Sequence, residues 1–169
     1  GKTTVTMMVT AMLERTGRHA AAVGNTDVPL VAALDDRRVE VFVVEASSFR
    51  LGHSRHFAPS VGTWLNFAPD HLDVHRDLAT YERSKARIWR DQGAGDIAVG
   101  NLDDPVVAEH LAGAPGRRIG FTIRTGTAGT AGPVGAYGVA DGWLHDEQGE
   151  RLVPVAELPR ALPHDLANA

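Results

Sequence analysis

Residues 1–13 read GKTTVTMMVTAML and join a phosphate-binding tetrapeptide to the start of an amphipathic helix. Gly1-Lys2-Thr3-Thr4 matches the second half of a phosphate-binding loop, where Lys2 would neutralise phosphates and the Thr3 hydroxyl would bind magnesium. An ordinary helix N-terminus capped by threonine is equally compatible with these four residues. The apolar residues that follow recur at the spacing of one helix face and predict a buried stripe. They are Val5, Met8, Val9, Met12 and Leu13.

Four short apolar runs follow the first helix, and none of them alternates polar with apolar residues. Such runs are typical of strands buried on both faces of a sheet. Because helical or turn-rich segments separate them, we predict an α/β fold with a mostly parallel sheet flanked by helices. A polar turn at Gln148-Gly149 between two apolar segments predicts a small antiparallel hairpin attached to this sheet. The four runs are Ala20–Val23, Val39–Val44, Val61–Leu65 and Ile97–Val99.

The composition is that of one globular domain that binds small molecules. The chain has 169 residues, 43% of them hydrophobic, which suffices for a single core. A net charge of -4 provides no basic excess for nucleic acid or an anionic membrane. The sequence contains no cysteine, no membrane-spanning apolar stretch and no secretory signal. We therefore expect a soluble, cytoplasmic, monomeric protein.

Polar side chains end the first two strand-like runs. Asn25 follows the first run, and Glu45 and Ser47 follow the second. In open α/β sheets, ligands bind outside the carboxyl ends of the strands. A carboxylate at the end of a buried strand is expensive to desolvate, and a magnesium ion beside bound phosphates would offset that cost. Glu45 is thus a candidate magnesium ligand if the phosphate loop is real, and otherwise a solvated loop acid.

The third run leads into the acidic and histidine-containing sequence Asp70-His71-Leu72-Asp73. His71 and His75 lie four residues apart, a spacing that could also indicate a zinc site on one helix face. The segment, however, has the character of a loop and supplies no further clear ligand set. We therefore favour a role for His71 that depends on its neighbours over a zinc site.

Lys85 occupies an unusual position in the next predicted helix. It falls near the centre of an apolar face, and lysine rarely faces inward without a partner. One interpretation is a side chain that covers apolar surface while its ammonium group reaches water. The other is a lysine directed into a site and chemically modified there. The face is defined by Leu78, Tyr81, Ile88 and Trp89.

As an ordered set, these residues resemble the Mur ligases, the ATP-dependent amide-forming enzymes of peptidoglycan synthesis. The resemblance covers nearly the whole chain and is very specific when its parts are taken together. Its Glu-x-Ser-Ser-Phe element favours the family member that adds D-glutamate. The matching elements are Gly1–Thr4, Gly24-Asn25, Glu45–Phe49, Leu65-Asn66, Asp70–His75, Tyr81 with Lys85–Ile88, and His164 with Asn168-Ala169.

The resemblance implies that ATP phosphorylates the terminal carboxylate of UDP-N-acetylmuramoyl-L-alanine. The amine of D-glutamate would then attack the acyl phosphate, giving an amide, ADP and phosphate. Negative charge collects in such a reaction, so cations are the expected catalysts, and the resemblance implies two Mg²⁺ sites. The implied assignments are Gly1, Lys2, Thr3 and Thr4 for the phosphates, Thr3 and Glu45 for the first metal, His71 and a carbamylated Lys85 for the second, Asn25 and Ser47 for the UDP-sugar, and His164 and Asn168 for the adenine.

The sequence departs from the family pattern at three positions. Asp27, Arg50 and Asp165 stand where the family usually has glycine, glutamine and asparagine, which affects contacts to the substrate and the adenine rather than the metal site. The resemblance further implies that residues 1–169 are one middle domain, truncated at both ends, without the N-terminal UDP-binding and C-terminal domains. Such a domain should be inactive alone.

Besides a non-catalytic binding module, which such a domain would be on its own, two other functions remain open at this point. The first is another Mur ligase or a folylpolyglutamate-type ligase, from which the Ser-Ser-Phe sequence distinguishes this chain. The second is a nucleotide-switch ATPase of the chromosome-partitioning type, which shares Gly-Lys-Thr-Thr. That class needs neither the Asp-His-Leu-Asp sequence nor an inward Lys85.

Overall fold

The computed structural model describes residues 1–69, 75–124, 135–159 and 163–168. Helices and strands alternate from α1 to β5, as the predicted α/β fold requires. The helices are α1 Lys2–Arg15, α2 Leu30–Ala33, α3 Ser48–His53, α4 Leu78–Arg90, α5 Pro105–Ala112 and α6 Pro163–Leu166, with a short 3₁₀ helix at Val155–Glu157. The strands are β1 Ala20–Gly24, β2 Val41–Glu45, β3 Val61–Trp64, β4 Ile97–Asn101, β5 Arg117–Thr122, β6 Gly135–Ala140, β7 Trp143–His145 and β8 Arg151–Pro154.

The first two strands form a parallel pair of their own. Their register places Gly24 opposite Glu45, so both strands end at the same edge. The pair is separate from the larger sheet within the described residues. Helix α1 packs on both strands. The start of α1 and the carboxyl ends of β1 and β2 consequently belong to one packing unit.

The buried side of α1 differs from the predicted apolar stripe. Thr6 and Thr10 are buried, whereas Val9 and Met12 are 38% and 57% exposed. The Thr10 hydroxyl donates to the Thr6 carbonyl oxygen at 2.8 Å, which satisfies the polar group inside the helix and removes much of the cost of burying it. The prediction of the helix was therefore correct, and the prediction of its buried face was partly wrong, since the other three residues of the predicted stripe are half-buried.

The larger sheet has six strands in the order β3-β4-β5-β6-β7-β8. The pairs from β3 to β6 are parallel, which confirms the mostly parallel sheet. The pairs β6-β7 and β7-β8 are antiparallel and confirm the predicted hairpin region. Strands β5 and β6 were not predicted, because β5 begins with two arginines and β6 lies in a glycine-rich segment.

Two tryptophans organise the core on one face of this sheet. Trp64 of β3 and Trp89 of α4 lie 5.5 Å apart between ring centroids and pack with Val107 and Leu111 of α5. The Trp89 indole N–H donates to the Gly62 carbonyl oxygen at 2.8 Å, so its polar atom is satisfied inside the core. This packing fixes α4, which carries Lys85, against β3. None of the helices in the described part of the chain is long and apolar enough to cross a membrane.

Candidate functional site

One cleft of about 410 Å³ lies between the start of α1, the carboxyl ends of β1 and β2, and α4. Four side chains that the sequence nominated for a common site line it, namely Lys2, Asn25, Ser47 and Lys85. They come from four different elements. Asn25 and Ser47 follow the parallel strands β1 and β2, which end at the same edge, and Lys2 and Lys85 reach the cleft from α1 and α4. Ser48, Phe49, His75 and Tyr81 complete the lining.

Glu45 lies directly behind Asn25 at the end of β2. Its side chain is 5% exposed, and its Oε1 accepts a hydrogen bond from Asn25 Nδ2 at 3.3 Å. The other oxygen, Oε2, is buried and has no hydrogen-bond partner within the described residues. A buried carboxylate oxygen without a partner is costly unless a cation or donor reaches it. The predicted desolvated carboxylate is therefore present, and its oxygen-rich chemistry suits Mg²⁺.

A glycine allows Asn25 to reach Glu45. Gly24 has φ +103°, a conformation that side-chain-bearing residues rarely adopt, and a Cβ there would lie 2.5 Å from the Glu45 carbonyl oxygen. The same backbone approach lets the Asn25 N–H donate to the Glu45 carbonyl oxygen at 2.8 Å. Asn25 and Glu45 are thus held together by main-chain as well as side-chain contacts.

The start of α1 forms another side of the cleft. Gly1 is the N-cap residue and makes no side-chain capping bond, and no acidic residue lies in the first turn. The free N–H groups and positive end of a helix dipole favour an anion at such a terminus. Lys2 lines the cleft, while Thr3 and Thr4 are exposed. Asn168, which the sequence placed near the adenine, accepts a hydrogen bond from the Gly1 amino group at 3.4 Å, and His164 is largely exposed.

Helix α3 forms the wall above the end of β2. Ser47 caps it, because its Oγ accepts a hydrogen bond from the Arg50 N–H at 3.3 Å. Ser48 and His75 are both buried, and Ser48 Oγ lies 2.9 Å from His75 Nε2. The exposed ring of Phe49 contacts the His53 ring in a tilted arrangement, with a centroid distance of 4.6 Å. Ser47 and Ser48 therefore point to different tasks: the first caps the helix, and the second ties it to His75.

The opposite wall is formed by α4 and by His75, which lies three residues before α4 begins. Lys85 is half-buried, and its Nζ lies 5.1 Å from the centroid of the Tyr81 ring, within the range of a cation–π contact. Tyr81 is 4% exposed, with the Phe67 and His75 rings 5.2 and 5.0 Å away. Lys85 is thus directed into the cleft rather than along the outer surface of the helix.

The apolar face predicted for α4 is partly wrong. Tyr81 and Trp89 are buried as predicted, but Leu78 is 39% exposed, and Ser84 is buried in its place. The Ser84 hydroxyl donates to the Thr80 carbonyl oxygen at 2.8 Å, so this polar group is again satisfied by its own helix. A hydrophobicity pattern does not register such a position.

His71 and the rest of the Asp-His-Leu-Asp sequence lie outside the described residues. The segment before them is held in two places. The Phe67 N–H donates to Asp104 Oδ2 at 2.5 Å, and Trp64 Nε1 donates to the Asn66 carbonyl oxygen at 2.9 Å. Within the described ranges, no three histidine, cysteine, aspartate or glutamate side chains form a group able to hold a metal ion. Glu45 is therefore the described carboxylate that best fits a metal here.

The cleft combines cationic side chains, a helix N-terminus and a buried carboxylate. Lys2 and Lys85 bring positive charge toward a bound polyanion, and the open first turn of α1 offers backbone N–H donors. Glu45 offers an unsatisfied oxygen to a cation accompanying that polyanion. Such an arrangement is suited to binding a phosphorylated ligand with a divalent metal and to stabilising charge that develops on phosphate.

Two site residues received no favoured role from the sequence, since the zinc site that would have included His75 was set aside. Ser48 and His75 stood inside quoted motifs, but neither hydrophobic periodicity nor spacing predicts their mutual contact. They are separated by 27 positions and come together because α3 packs against α4 and His75 lies shortly before α4 begins. Burial of a histidine is the only signal that could have identified the pair, and burial is read from the structure.

A family profile described as the Mur ligase middle domain matches residues 1–149. Among curated proteins, this chain is 43% identical over its whole length to a UDP-N-acetylmuramoylalanine–D-glutamate ligase of Frankia casuarinae, covering 35% of that protein. It is 42% identical to the enzyme of the same name from Mycolicibacterium vanbaalenii, again over the whole chain and 34% of that protein. The chain thus spans about a third of the length of these relatives.

Solved structures support the fold. A UDP-N-acetylmuramate:L-alanyl-gamma-D-glutamyl-meso-diaminopimelate ligase from Neisseria meningitides superposes with a TM-score of 0.64, covering 99% of this chain and 55% of that one. A UDP-N-acetylmuramoyl-L-alanyl-D-glutamate–2,6-diaminopimelate ligase gives a TM-score of 0.59 over 82% of this chain and 32% of that one. Both are 19% identical in sequence, so these two similarities concern the fold alone.

Proposed function

The chain belongs to the Mur ligase middle-domain family, and from this premise we propose that it is the ATP-binding domain of a ligase that joins D-glutamate to UDP-N-acetylmuramoyl-L-alanine. The observation that carries the proposal is the cleft that gathers Lys2, Asn25, Ser47 and Lys85 beside the buried Glu45. The family relationship supports the substrate assignment, since the relatives that match the whole chain bear that name.

In the proposed reaction, ATP phosphorylates the terminal carboxylate of the UDP-linked substrate. The D-glutamate amine then attacks the acyl phosphate, which releases phosphate and forms the amide. Lys2 and the first-turn amides of α1 would hold the nucleotide phosphates, with Gly1, Thr3 and Thr4 at the same helix start. Asn25 and Ser47, on the facing side of the cleft, would contact the UDP-sugar, and Asn168 with His164 would lie toward the adenine.

The residues of the cleft fit a magnesium ion. Glu45 has an unsatisfied oxygen behind Asn25, and Thr3 lies in the first turn of α1, so these two residues would hold the first ion. When bound, Mg²⁺ would neutralise charge on the nucleotide phosphates. We propose that His71 and Lys85 hold a second ion, with Lys85 converted to a carbamate. The ammonium group would lose one proton to become a neutral amine, and the amine would then add carbon dioxide and lose a second proton. The cation would thereby become an anionic oxygen ligand.

The position of the Lys85 side chain in the cleft supports this role. Its Nζ is placed at the cleft by Tyr81, which is itself fixed between Phe67 and His75. Lys2 faces the same cleft and keeps a positive charge there. The two lysines would therefore have different tasks: Lys2 would offset phosphate charge, and the modified Lys85 would bind metal.

A substitution at Lys85 tests the metal role. In the complete ligase, Lys85→Ala should abolish activity, and short carboxylates such as acetate should restore part of it by replacing the carbamate oxygens. Arg83→Ala provides a matched control, because Arg83 lies on the exposed side of the same helix and should tolerate the change. Undiminished activity of Lys85→Ala would overturn the metal role.

The amino-acid specificity is tested separately by measuring ADP release with a panel of amino acids and UDP-N-acetylmuramoyl-L-alanine. We expect release only with D-glutamate. Release with another amino acid would reassign the substrate within the family, and ATP hydrolysis independent of any amino acid would favour the nucleotide-switch alternative. The proposal further includes a monomeric, cytoplasmic enzyme, which sedimentation and cell fractionation can check.

A further inference from the structure

Helix α3 has little apolar packing of its own. It is six residues long, and Leu51 is its one buried apolar side chain. Phe49 is 54% exposed. A second cleft of about 210 Å³ lies along the contact between α3 and α4. It is lined by Gly52 and His53 of α3 and by Thr80 and Ser84 of α4. An isolated helix this short is unstable in water, so other contacts must hold α3 in place.

The C-terminal end of α3 is held by an arginine of α4. Arg87 Nη1 donates to the Gly52 carbonyl oxygen at 2.6 Å and to the Ser54 carbonyl oxygen at 3.2 Å, and it lies 3.4 Å from the Leu51 carbonyl oxygen. These carbonyl groups belong to the last turn of α3 and its exit, where intrahelical donors are lacking. A guanidinium group both satisfies them and complements the negative end of the helix dipole.

A close approach of the two helices makes this contact possible. A Cβ on Gly52 would lie 3.1 Å from Ser84 Oγ, tighter than ordinary van der Waals contact. Ser84 lies one residue before Lys85 on α4, and Arg87 lies two residues after it. The contact between the helices is therefore centred on the part of α4 that carries the candidate metal-binding lysine.

The N-terminal end of α3 is held by the segment that precedes α4. Ser48 Oγ lies 2.9 Å from His75 Nε2, and both side chains are buried. The His75 ring in turn packs on Tyr81, which lies beneath Lys85. One end of α3 is thus connected to Lys85 through two rings, and the other end through a single arginine.

We propose that Arg87 and His75 are positioning residues that hold α3 at both ends and thereby set the distance between the two walls of the cleft. One wall carries Ser47, and the other carries Lys85. Neither Arg87 nor His75 needs to touch the nucleotide for this role. The inference rests on the proposed function only in its activity measurement, because the anchoring of α3 can be measured without turnover.

The experiment removes the Arg87 side chain and then supplies a guanidinium compound in solution to replace it. In the complete ligase, Arg87→Ala should accelerate hydrogen exchange of the α3 amides by about tenfold, since hydrogen bonds from charged groups are among the stronger ones in proteins. Its kcat/KM should fall by a similar factor, mainly through a higher KM for the UDP-linked substrate. Added methylguanidinium should reverse both changes, because it can refill the space and donate to the same carbonyl groups.

Arg83→Ala is the matched control. Arg83 lies one turn earlier on α4, is exposed, and donates to Thr80 Oγ1 of its own helix at 2.8 Å. We expect normal exchange in α3, normal kinetics and no response to methylguanidinium. An equal response of both variants to methylguanidinium would overturn the proposal, since the effect would not be specific to the Arg87 position.

Further outcomes show whether Arg87 anchors α3 and whether that anchoring affects the reaction. Faster exchange in α3 with kinetics within twofold of wild type would overturn the positioning role, and unchanged exchange would overturn the anchoring itself. If Arg87→Ala does not fold, Arg87→Lys replaces it, and its single ammonium group should give intermediate exchange and kinetics. A wild-type protein without ligase activity would contradict the proposed function, and the exchange measurement alone would then support or overturn the anchoring.

Histidine substitutions test the other end of α3. His75→Phe keeps a ring against Tyr81 but removes the contact with Ser48, whereas His75→Gln keeps a polar partner for the hydroxyl. We expect His75→Phe to accelerate exchange at the start of α3 and His75→Gln to restore much of the protection. Equal exchange in the two variants would overturn the role of the hydrogen bond.

Discussion

Replacing Glu45 with glutamine should stabilise the protein in the absence of magnesium and leave it less stable than wild type once magnesium and nucleotide are bound. The reversal is expected because Glu45 Oε2 is buried without a hydrogen-bond partner in the described part of the chain, while Oε1 is held by Asn25. Glutamine keeps the shape and the acceptor for Asn25 but removes the charge. The metal-free protein gains from this loss, and the metal-bound protein loses a ligand.

The magnitude follows from two opposing effects. An unsatisfied buried polar group costs about 1–3 kcal/mol, and more when it is charged. Because the glutamine amide is itself incompletely paired, we expect a net gain of about 1 kcal/mol for the variant without metal, or about 2–4 °C in Tm for a protein of this size. A ligand present at 100 times its Kd stabilises the folded state by about 2.7 kcal/mol. With metal and nucleotide, the order of the two proteins should therefore reverse by roughly 1–2 kcal/mol.

Thermal unfolding in EDTA and in Mg²⁺ with a non-hydrolysable ATP analogue measures both effects. Glu40→Gln is the matched control, because Glu40 directly precedes β2 but its side chain is 48% exposed and accepts a hydrogen bond from the His19 N–H at 2.9 Å. We expect its Tm to change little in either condition. The reasoning is refuted if Glu45→Gln lowers Tm in EDTA, or if the variant gains as much stability from magnesium and nucleotide as wild type does.

Two further substitutions test the stability of the protein in acid and the backbone conformation next to the cleft. The hydrogen bond from Arg90 is the main reason why the pKa of Asp91 lies below its ordinary value of 3.8. The stabilisation by ionised Asp91 should therefore be complete above pH 3.8 and disappear as the pH falls further. In urea unfolding, the difference in unfolding free energy between wild type and Asp91→Asn should shrink below about pH 4, and a constant difference would contradict this. Gly24→Ala should lower the free energy of unfolding in urea by over about 2 kcal/mol, which is more than the loss expected for Gly17→Ala. Both glycines have positive φ, but only at Gly24 would a Cβ lie 2.5 Å from the Glu45 carbonyl oxygen. Equal losses would show that this close approach is unimportant.

The α/β arrangement could be predicted because its signals are local and repeated. Each apolar run became a strand, within a few residues at its ends, since strands buried on both faces need uninterrupted apolar side chains. The second run was the least accurate, because Val39 is in a turn with Asp36 and the strand begins at Val41. Strands β5 and β6 lacked such a run and were missed.

The meeting of Asn25 and Ser47 at one cleft could be anticipated for a topological reason, whereas Lys2 and Lys85 reach that cleft from the helices α1 and α4. Parallel strands end at one edge, so residues that directly follow them meet even when they are far apart in sequence. The arrangement of Glu45 behind Asn25 could not be anticipated. It depends on the positive φ of Gly24, and a single glycine in a sequence does not reveal its conformation.

The buried faces of the helices were harder to predict for a different reason. Thr6, Thr10 and Ser84 are buried although they are polar, and Thr10 and Ser84 donate to a carbonyl group of their own helix. A hydrophobicity pattern assigns such residues to solvent, because it counts the cost of the hydroxyl and not the hydrogen bond that offsets it. The prediction therefore failed at the positions where the polar group was satisfied locally.

The same reasoning explains why Arg87 and His75 had no role before the structure was known. Each acts through a polar contact between elements, with Arg87 donating to carbonyl groups of α3 and His75 contacting Ser48. Such contacts have no period and no fixed spacing, whereas Asn25 and Ser47, which are proposed to bind ligand, lie within two residues of a strand end. The two residues proposed to set the distance between the walls of the cleft, Arg87 and His75, therefore have the weakest sequence signal. Substitution at these two positions, judged by exchange in α3 and by kinetics, is accordingly the most direct way to learn whether that distance matters.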